Sequence, residues 1–383
     1  MPFFERSKMS LKQEFVMQAI QENANISRLC RRYDVTRNTG YKWLRRFQDE
    51  GKEGLVERSR RPHNSPNQTS VSIERLIINL REKHPAWGGR KLRRRLADIG
   101  YDKLPSPSTI TEILWRHGMI DPLEAAKRTS CKRFEYDEPN DLAQMDFKGH
   151  FAIGSGRCHP LTMLDDHSRF LLVLEGCPNE RTETVKEHLT TAFRRYGLPS
   201  AILTDNGSPW AHAKSERNLT RLEVWLIRLG IEMKKSGIRH PQTMGKDERL
   251  HRSLKAEVIQ GRSFRDLSEC QEAFDAWRYV YNHERPHEAL EMGVPADRYR
   301  VSRRDYPETL PEIEYSGNDF VRKVQQTGII HFKGNKYWVG RSLLGLPVAV
   351  RPTLDDGVYD VYYCRQKISQ VKHPGSPMGE PGC

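Results

Sequence analysis

Near residue 140 the apolar residues of this chain change their period, so more than one class of structure has to be present. Upstream, Ile26, Leu29, Cys30 and Tyr33 recur at i, i+3, i+4 and i+7, the buried stripe of a short helix. Downstream, Leu142 to Phe151, Pro160 to Asp165 and Arg169 to Glu175 are short strand-like runs. A helical stretch, Glu183 to Tyr196, and a further apolar strand, Ala201 to Thr204, follow them. Helical patterns return over Leu219 to Leu229 and Lys246 to Asn282. After a join rich in Pro and charge near 301 to 315, strands are expected at Gly328 to Phe332, Lys336 to Val339, Pro347 to Arg351 and Tyr359 to Tyr363, with Gly334 and Asn335 as a turn. A chain of 383 residues has room for two to four domains. The expected fold class is multidomain: N-terminal all-α helix-turn-helix units, a central α/β domain and a C-terminal small β-barrel.

Charge follows the same division. Residues 1 to 135 hold 28 Lys and Arg against 16 Asp and Glu, a net +12, which leaves 35 against 34, or +1, for the rest of the +13 chain. A basic excess confined to one third points to a polyanionic partner, DNA, for that third. There, a first helix around Leu11 to Ile20 buries Phe15, Val16 and Ala19. Thr36 is a suitable N-cap for a third helix that puts Gly40, Trp43, Leu44 and Phe47 on one face. Arg37, Asn38, Tyr41, Lys42 and Arg45 then face outward, as the reading helix of a helix-turn-helix does. Residues 56 to 68 carry Arg58, Arg60 and Arg61 ahead of two prolines, Pro62 and Pro66, and read as an extended basic linker able to lie along DNA. A second helical unit follows: Val71 to Lys83, a break at His84 to Gly89, a basic helix Arg90 to Ala97, then Ser108 to His117. The expected domains are 9–62 with the linker, 68–130, 136–300 and 315–372, ending in a disordered tail at 373–383.

The longest apolar runs fall far short of a membrane span, and the N-terminus lacks an apolar signal core. Seven scattered cysteines without a CxxC argue against disulfide or zinc frameworks, and a reducing cytoplasm is the expected location.

Three acids stand out. Asp146 lies inside the first strand, and Asp205 directly follows an apolar strand and precedes Asn206-Gly207, a turn pair. Glu248 opens a helix on which Glu248, Arg252 and Lys255 share one face, while Leu250, Leu254 and Val258 form the buried side. Carboxylates from two strands and a helix suit a pair of hard Mg²⁺ ions, which prefer oxygen ligands. Each acid also has an ordinary explanation: an edge strand, an Asx turn and a first-turn helix acid. The Asp165-Asp166-His167-Ser168 run has the residue types of a hydrolase triad, but sequence neighbours cannot converge, so it reads as a strand end and turn.

Taken together, QMDFKG around Asp146, LDDHSRF at 164 to 170, LTDNGSPW at 203 to 210, HPQTMGKDERLHRSLKAEV at 240 to 258 and YNHERPHEAL at 281 to 290 resemble a known family. They are similar to bacterial insertion-sequence transposases of the Asp, Asp, Glu type, whose catalytic core is of the retroviral-integrase kind with a ribonuclease-H-like fold. The resemblance covers nearly the whole chain. It implies that Asp146, Asp205 and Glu248 are the catalytic metal ligands for two Mg²⁺ ions, with Mn²⁺ as a substitute. It also implies that Arg252 and Lys255 hold the element's end. Between Asp205 and Glu248 lie 42 residues, longer than the family's usual gap, with the extra length expected around Ala211 to Asn218.

The activity implied is binding of terminal inverted repeats, cleavage that frees a 3′-OH, and joining of that 3′-OH to target DNA. Partners would be double-stranded DNA at element ends and target, and further copies of the chain, at least a dimer, on DNA. The expected setting is the bacterial cytoplasm, at the nucleoid, with no membrane. Two alternatives stay open: a transposase-derived DNA-binding regulator, which has no need of three intact acids, and a nuclease of the same fold.

Overall fold

The computed structural model describes residues 8–58, 68–120, 135–210, 219–235 and 245–373. The chain divides into two compact units, Met1–Gln68 and Thr69–Cys383.

The first unit is built on three helices: α1 (Lys8–Ala19), α2 (Ile26–Arg32) and α3 (Arg37–Glu50). Side chains of Asn25 and Thr36 accept hydrogen bonds from the Arg28 and Thr39 amides and so cap α2 and α3. Phe15, Val16, Cys30 and Leu55 form the buried core, with Phe15 edge-on to Tyr33 and Trp43. At Gly40 a Cβ would stand 2.6 Å from Cys30 Sγ and 2.8 Å from Phe15 Cζ. The missing side chain is therefore what lets α3 lie directly against its neighbours.

The second unit opens with α4 (Val71–Lys83), α5 (Gly89–Asp98) and α6 (Pro107–Arg116), close to the expected bounds. Ile77, Trp87, Leu92, Leu96, Ile110, Ile113 and Leu114 are their shared core. Arg81 ties the arrangement by donating to the carbonyls of Trp87 (2.7 Å) and Met119 (2.9 Å). The basic side of α5 is split. Arg90, Arg93 and Arg94 are exposed, whereas Arg95 pairs with Glu284 at 2.7 Å and Lys91 is half-buried.

The central sheet contains β1 (Leu142–Phe147), β2 (Phe151–Ile153), β3 (Gly156–Asp165), β4 (Leu171–Cys177), β5 (Ala201–Thr204) and β6 (Glu232–Lys235). The expected single run to Phe151 is broken after Phe147, and Phe151 begins β2, a short hairpin partner of β3. β3 is antiparallel to β1 and β4, while β5 is parallel to β1 and β6 to β5. This is the ribonuclease-H-like arrangement, an antiparallel half continued by a parallel one.

One face carries α7 (Thr182–Tyr196) and α8 (Arg221–Arg228), whose Val185, Leu189, Phe193, Leu222 and Leu226 join Ala143, Met145 and Ile202 in the largest core. The other carries α9 (Gly245–Leu254), extended by a wider helical turn over Lys255–Ile259, and α10 (Leu267–His283). Their Leu250, Leu254, Val258, Phe274 and Trp277 pack on Leu164, Leu171 and Leu174.

A short helix, α11 (Pro295–Arg298), leads towards the C-terminal strands β7 (Phe320–Lys323), β8 (Ile329–Phe332), β9 (Asn335–Trp338), β10 (Pro347–Pro352), β11 (Val358–Tyr363) and β12 (Gln366–Lys372). They form a four-stranded antiparallel sheet in the order β12-β11-β10-β7 and a separate β8-β9 hairpin, not the expected closed barrel. Among the described residues the mostly exposed β7 has a strand ladder only with β10, while Arg322 on it donates to the His331 carbonyl of β8 and Phe320 packs on Phe332. The hairpin turn is Lys333-Gly334, one residue before the expected pair, and both residues take the positive φ such a turn requires, 46° and 76°. Val324, Ile330, Val348 and Val361 merge with the largest core of the central sheet. The expectation of a disordered tail beyond His373 falls outside the described residues. Among the described residues no helix is long and apolar enough to cross a membrane.

Candidate active site

Alternation along β1 sends Ala143 and Met145 into the largest core, so Gln144 and Asp146 point to the opposite face. β1 is in parallel register with β5, Gln144 opposite Leu203. Two residues further along the same register, Asp205 comes beside Asp146. Burial and then the Asp205 charge push the Asp146 carboxyl up to about 7. The Gly207 amide donates to Asp205 Oδ1 at 2.9 Å, and a Cβ at Gly207 would meet the same carboxylate at 2.9 Å, so the turn needs a glycine there. No Lys or Arg among the described residues is paired with either carboxylate.

On α9, helical spacing places Leu250, Leu254 and Val258 inside and Glu248, Arg252 and Lys255 outside. Glu248 is therefore not brought to the two aspartates. It accepts a hydrogen bond from Arg252 Nη2 at 2.7 Å, and both side chains are 72% exposed. The acid that α9 turns toward Asp146 is Asp247. It is 1% exposed, and neither of its oxygens has a hydrogen-bond partner among the described residues. Burial, then the charges of Asp146 and Asp166, hold its carboxyl well above the ordinary value. Among the described residues, no three His, Cys, Asp or Glu stand close enough to hold a metal ion.

Next along the same inner face is His251. Thr162 gives its hydroxyl hydrogen to the Asp146 carbonyl (3.0 Å), so the 2.9 Å contact with His251 Nε2 has the ring nitrogen as donor. His251 Nδ1 is then left 3.9 Å from Asp146 Oδ2. Burial and the Lys148 charge push the imidazole down to about 4, which keeps it neutral near pH 7. Lys148 is half-buried, and its own amine is pushed down by burial and by Lys255. Lys148 and Lys255 thus form a cationic cluster beside the acids.

Sequence reasoning missed Asp247, His251 and Lys148. The signal for the first two was present, because positions 247, 250, 251 and 254 share one helical face and Leu250 and Leu254 mark it as the inner one. Lys148 lies two residues past Asp146, and nothing in the sequence indicates its proximity to Lys255.

Behind the site, Asp166 accepts from Gln144 Nε2 (2.7 Å), the Tyr136 amide (2.9 Å) and Lys246 Nζ. This network ties the start of α9 to the turn after β3. Asp165 accepts from both the amide (2.8 Å) and the hydroxyl of Ser168, so the run at 165–168 is a capped turn, as its sequence suggests.

In the first unit, Arg37, Asn38, Tyr41, Lys42 and Arg45 are all exposed along α3. Arg58 is exposed and paired with Glu50. Arg60, Arg61 and the expected loop at Ala211 to Asn218 lie outside the described residues.

Known families match most of the chain in consecutive segments. A helix-turn-helix domain matches residues 11–63 and a homeodomain-like domain residues 39–114. Two integrase core domain families match residues 137–241 and 229–295. The C-terminal domain of the IS481 family transposases matches residues 319–373. An uncharacterized 31.7 kDa protein of insertion element IS407, from Burkholderia multivorans, is 25% identical over 159 residues, 42% of this chain and 55% of its own length. An uncharacterized 39.2 kDa protein of insertion element IS476, from Xanthomonas euvesicatoria, is 24% identical over 239 residues, 60% of this chain and 65% of its own length. The chain therefore spans between half and two thirds of the length of these curated relatives. A chain of the simian T-cell lymphotropic virus intasome in complex with PP2A regulatory subunit B56 gamma aligns with 77% of this chain and 95% of its own. Its identity is 14% and its TM-score 0.38, a likeness too distant to carry an argument.

Proposed function

We propose that this chain, in which helix-turn-helix, integrase-core and IS481-transposase C-terminal families match in that order, is an insertion-sequence transposase that binds the terminal inverted repeats of its element, cleaves to free a 3′-OH and joins that 3′-OH to target DNA. The observation that carries this reading is the pairing of Asp146 and Asp205 on neighbouring strand ends, close enough that one charge raises the other carboxyl. Two crowded carboxylates that no Lys or Arg among the described residues pairs with fit a divalent cation, and their hard oxygens fit Mg²⁺, with Mn²⁺ acceptable.

In cleavage, a water oxygen attacks the phosphorus, the bond to the 3′ oxygen breaks, and a 3′-OH and a 5′-phosphate result. In joining, the 3′ oxygen attacks a target phosphorus, one P–O bond forms and one breaks, and the displaced strand leaves with its own 3′-OH. Two Mg²⁺ ions, held by Asp146, Asp205 and Glu248, would supply activation of the attacking oxygen and neutralisation of the leaving one. Glu248 must part from Arg252 to join that set. The exposed pair is weak enough, worth roughly 0.3 to 0.5 kcal/mol, for this exchange. Arg252, Lys255 and Lys148 would neutralise and position the phosphates beside the scissile bond. On α3, Asn38, Tyr41 and Lys42 would meet base edges and Arg37 and Arg45 phosphates, with Arg58, Arg60 and Arg61 following the backbone. Element ends and target are both double-stranded DNA, and two ends brought together imply at least a dimer on DNA.

The test is strand cleavage and joining on element-end duplexes in Mg²⁺. Asp146→Asn and Asp205→Asn keep shape and remove charge, so each should abolish both reactions while end binding survives. A variant retaining more than about a tenth of the cleavage rate would exclude its residue from the site, since loss of a metal ligand or charge stabiliser typically costs well over that.

A further inference from the structure

Beyond Asp205 the chain enters a cleft of about 520 Å³, walled by the segment at Ser208, the starts of α7 and α8, and the turn at Arg341 between β9 and β10. Three arginines line it, Arg181 and Arg221 from the starts of α7 and α8 and Arg341 from the turn. All three are exposed, and none is paired with a carboxylate among the described residues. Glu180 and Glu183 also line the cleft, but Glu180 is partnered by His159 at 2.9 Å. Ser208 fixes the location too, because it lines the cleft three residues past Asp205. The cleft therefore begins on the segment that directly follows one of the candidate acids.

The sheet separates this cleft from the cations already described. α7, α8 and the C-terminal strands pack on one face, whereas α9, with Arg252 and Lys255, packs on the other. Asp146 and Asp205 stand at the strand ends between them. A nucleic acid strand passing the acids from the α9 side would next meet the three arginines. Three unpaired guanidiniums on one open cleft outnumber its single carboxylate without a partner among the described residues, Glu183, and suit phosphate oxygens, which they bind through bidentate hydrogen bonds.

We propose that this cleft is a second phosphate track, which holds the sugar-phosphate backbone of the DNA strand as it continues past the scissile bond on the face opposite Arg252 and Lys255. The inference rests on the reading of the chain as a transposase and adds the path of the strand. The track extends contact beyond the bond being broken, so it acts on DNA that runs through the site and not on DNA that stops at it. The core domain and the C-terminal β region share the grip, since Arg341 comes from the latter.

The test compares two element-end duplexes, one terminating at the cleavage position and one continuing about ten base pairs past it, bound to the full chain at several salt concentrations. Wild type should bind the continuing duplex about tenfold more tightly, with a steeper slope of log affinity against log salt by two to three, as about three added phosphate contacts require. In Arg181→Ala/Arg221→Ala/Arg341→Ala that advantage and the extra slope should vanish, with binding of the terminating duplex and the melting temperature unchanged. A triple variant that keeps the length advantage overturns the track. Inorganic phosphate competing equally against both duplexes also overturns it, in favour of a single-anion pocket. Wild type that binds neither duplex would instead sink the transposase reading itself.

Discussion

Arg285 Nη1 donates to Glu257 Oε1 at 2.8 Å, and the two side chains are only 6% and 3% exposed. Arg285 Nη2 reaches Ser253 Oγ at 2.9 Å, and Trp277 Nε1 donates to Glu257 Oε2 at 2.7 Å. The pair therefore joins the end of α9 to α10 and the loop after it. Ser253 lies five residues from Glu248, so the direction in which α9 leaves the candidate site depends on a bond made inside the protein. Burying two charges costs desolvation that only close, fully bonded geometry offsets.

Breaking that pair from one side should be worse than removing it. Glu257→Ala leaves the Arg285 guanidinium buried without its partner and should cost about 3 to 5 kcal/mol. The apolar double variant Glu257→Leu/Arg285→Met should cost less than that single change. Urea unfolding curves of the three proteins decide it, and a single variant as stable as wild type would show that the pair has no such role.

Gly40 gives a second stability prediction, this one confined to the first unit. Gly40→Ala drives a Cβ into Cys30 and Phe15 and should destabilise the three helices by about 1 to 3 kcal/mol, the usual range for overpacking. Asn38→Ala/Tyr41→Ala should leave stability within about 0.5 kcal/mol, because both side chains are exposed. That double variant should instead lower the ratio of element-end to random-DNA affinity at fixed salt. An unchanged ratio would move recognition to the second helical unit.

Helices whose determinants are local were legible in the sequence. Thr36, Ser70 and Ser106 cap α3, α4 and α6, and the buried stripe of α9 matches its spacing. Three strands that bury little were not. β6 reads Glu232-Met233-Lys234-Lys235 with Met233 alone buried, β7 is almost wholly exposed, and β12 buries only Val371. Their pairing comes from distant partners, which periodicity cannot supply. The C-terminal β region is present as expected, but its closure into a small barrel is not confirmed, since closure depends on which edges meet. At the site, spacing identified the two faces of α9 but not which acid would meet Asp146, because that depends on how the helix is rotated above β1.

Asp247 and Glu248 can be separated directly. Glu248→Gln should abolish cleavage and joining if the outward acid swings in to hold Mg²⁺, whereas Asp247→Asn should retain at least a third of the wild-type rate. Titration of each variant with Mn²⁺, followed by the loss of the free-ion paramagnetic resonance signal, gives a readout independent of turnover. Weakened Mn²⁺ binding in Asp247→Asn together with normal binding in Glu248→Gln would reverse the assignment, in favour of the carboxylate already turned toward Asp146.

Arg252 and Lys255 separate chemistry from DNA positioning on the same helix. Both are exposed, Arg252 in its pair with Glu248, and Lys255 is close enough to Lys148 to depress its amine, so the two lysines form one cationic surface beside the acids with Arg252 next to it on the helix. Arg252→Ala/Lys255→Ala should weaken binding of a pre-cut element end, lower the slope of log affinity against log salt by up to about two, and slow joining. Mn²⁺ affinity should change little, because the carboxylates remain. Adding Lys148→Ala should lower the slope by about one more if that amine meets the same strand. The slope is the decisive quantity, since a defect in folding or in metal binding would change affinity without changing the number of ions released. An unchanged slope and joining rate in the double variant would make these solvated charges on an exposed helix and place the DNA on another surface.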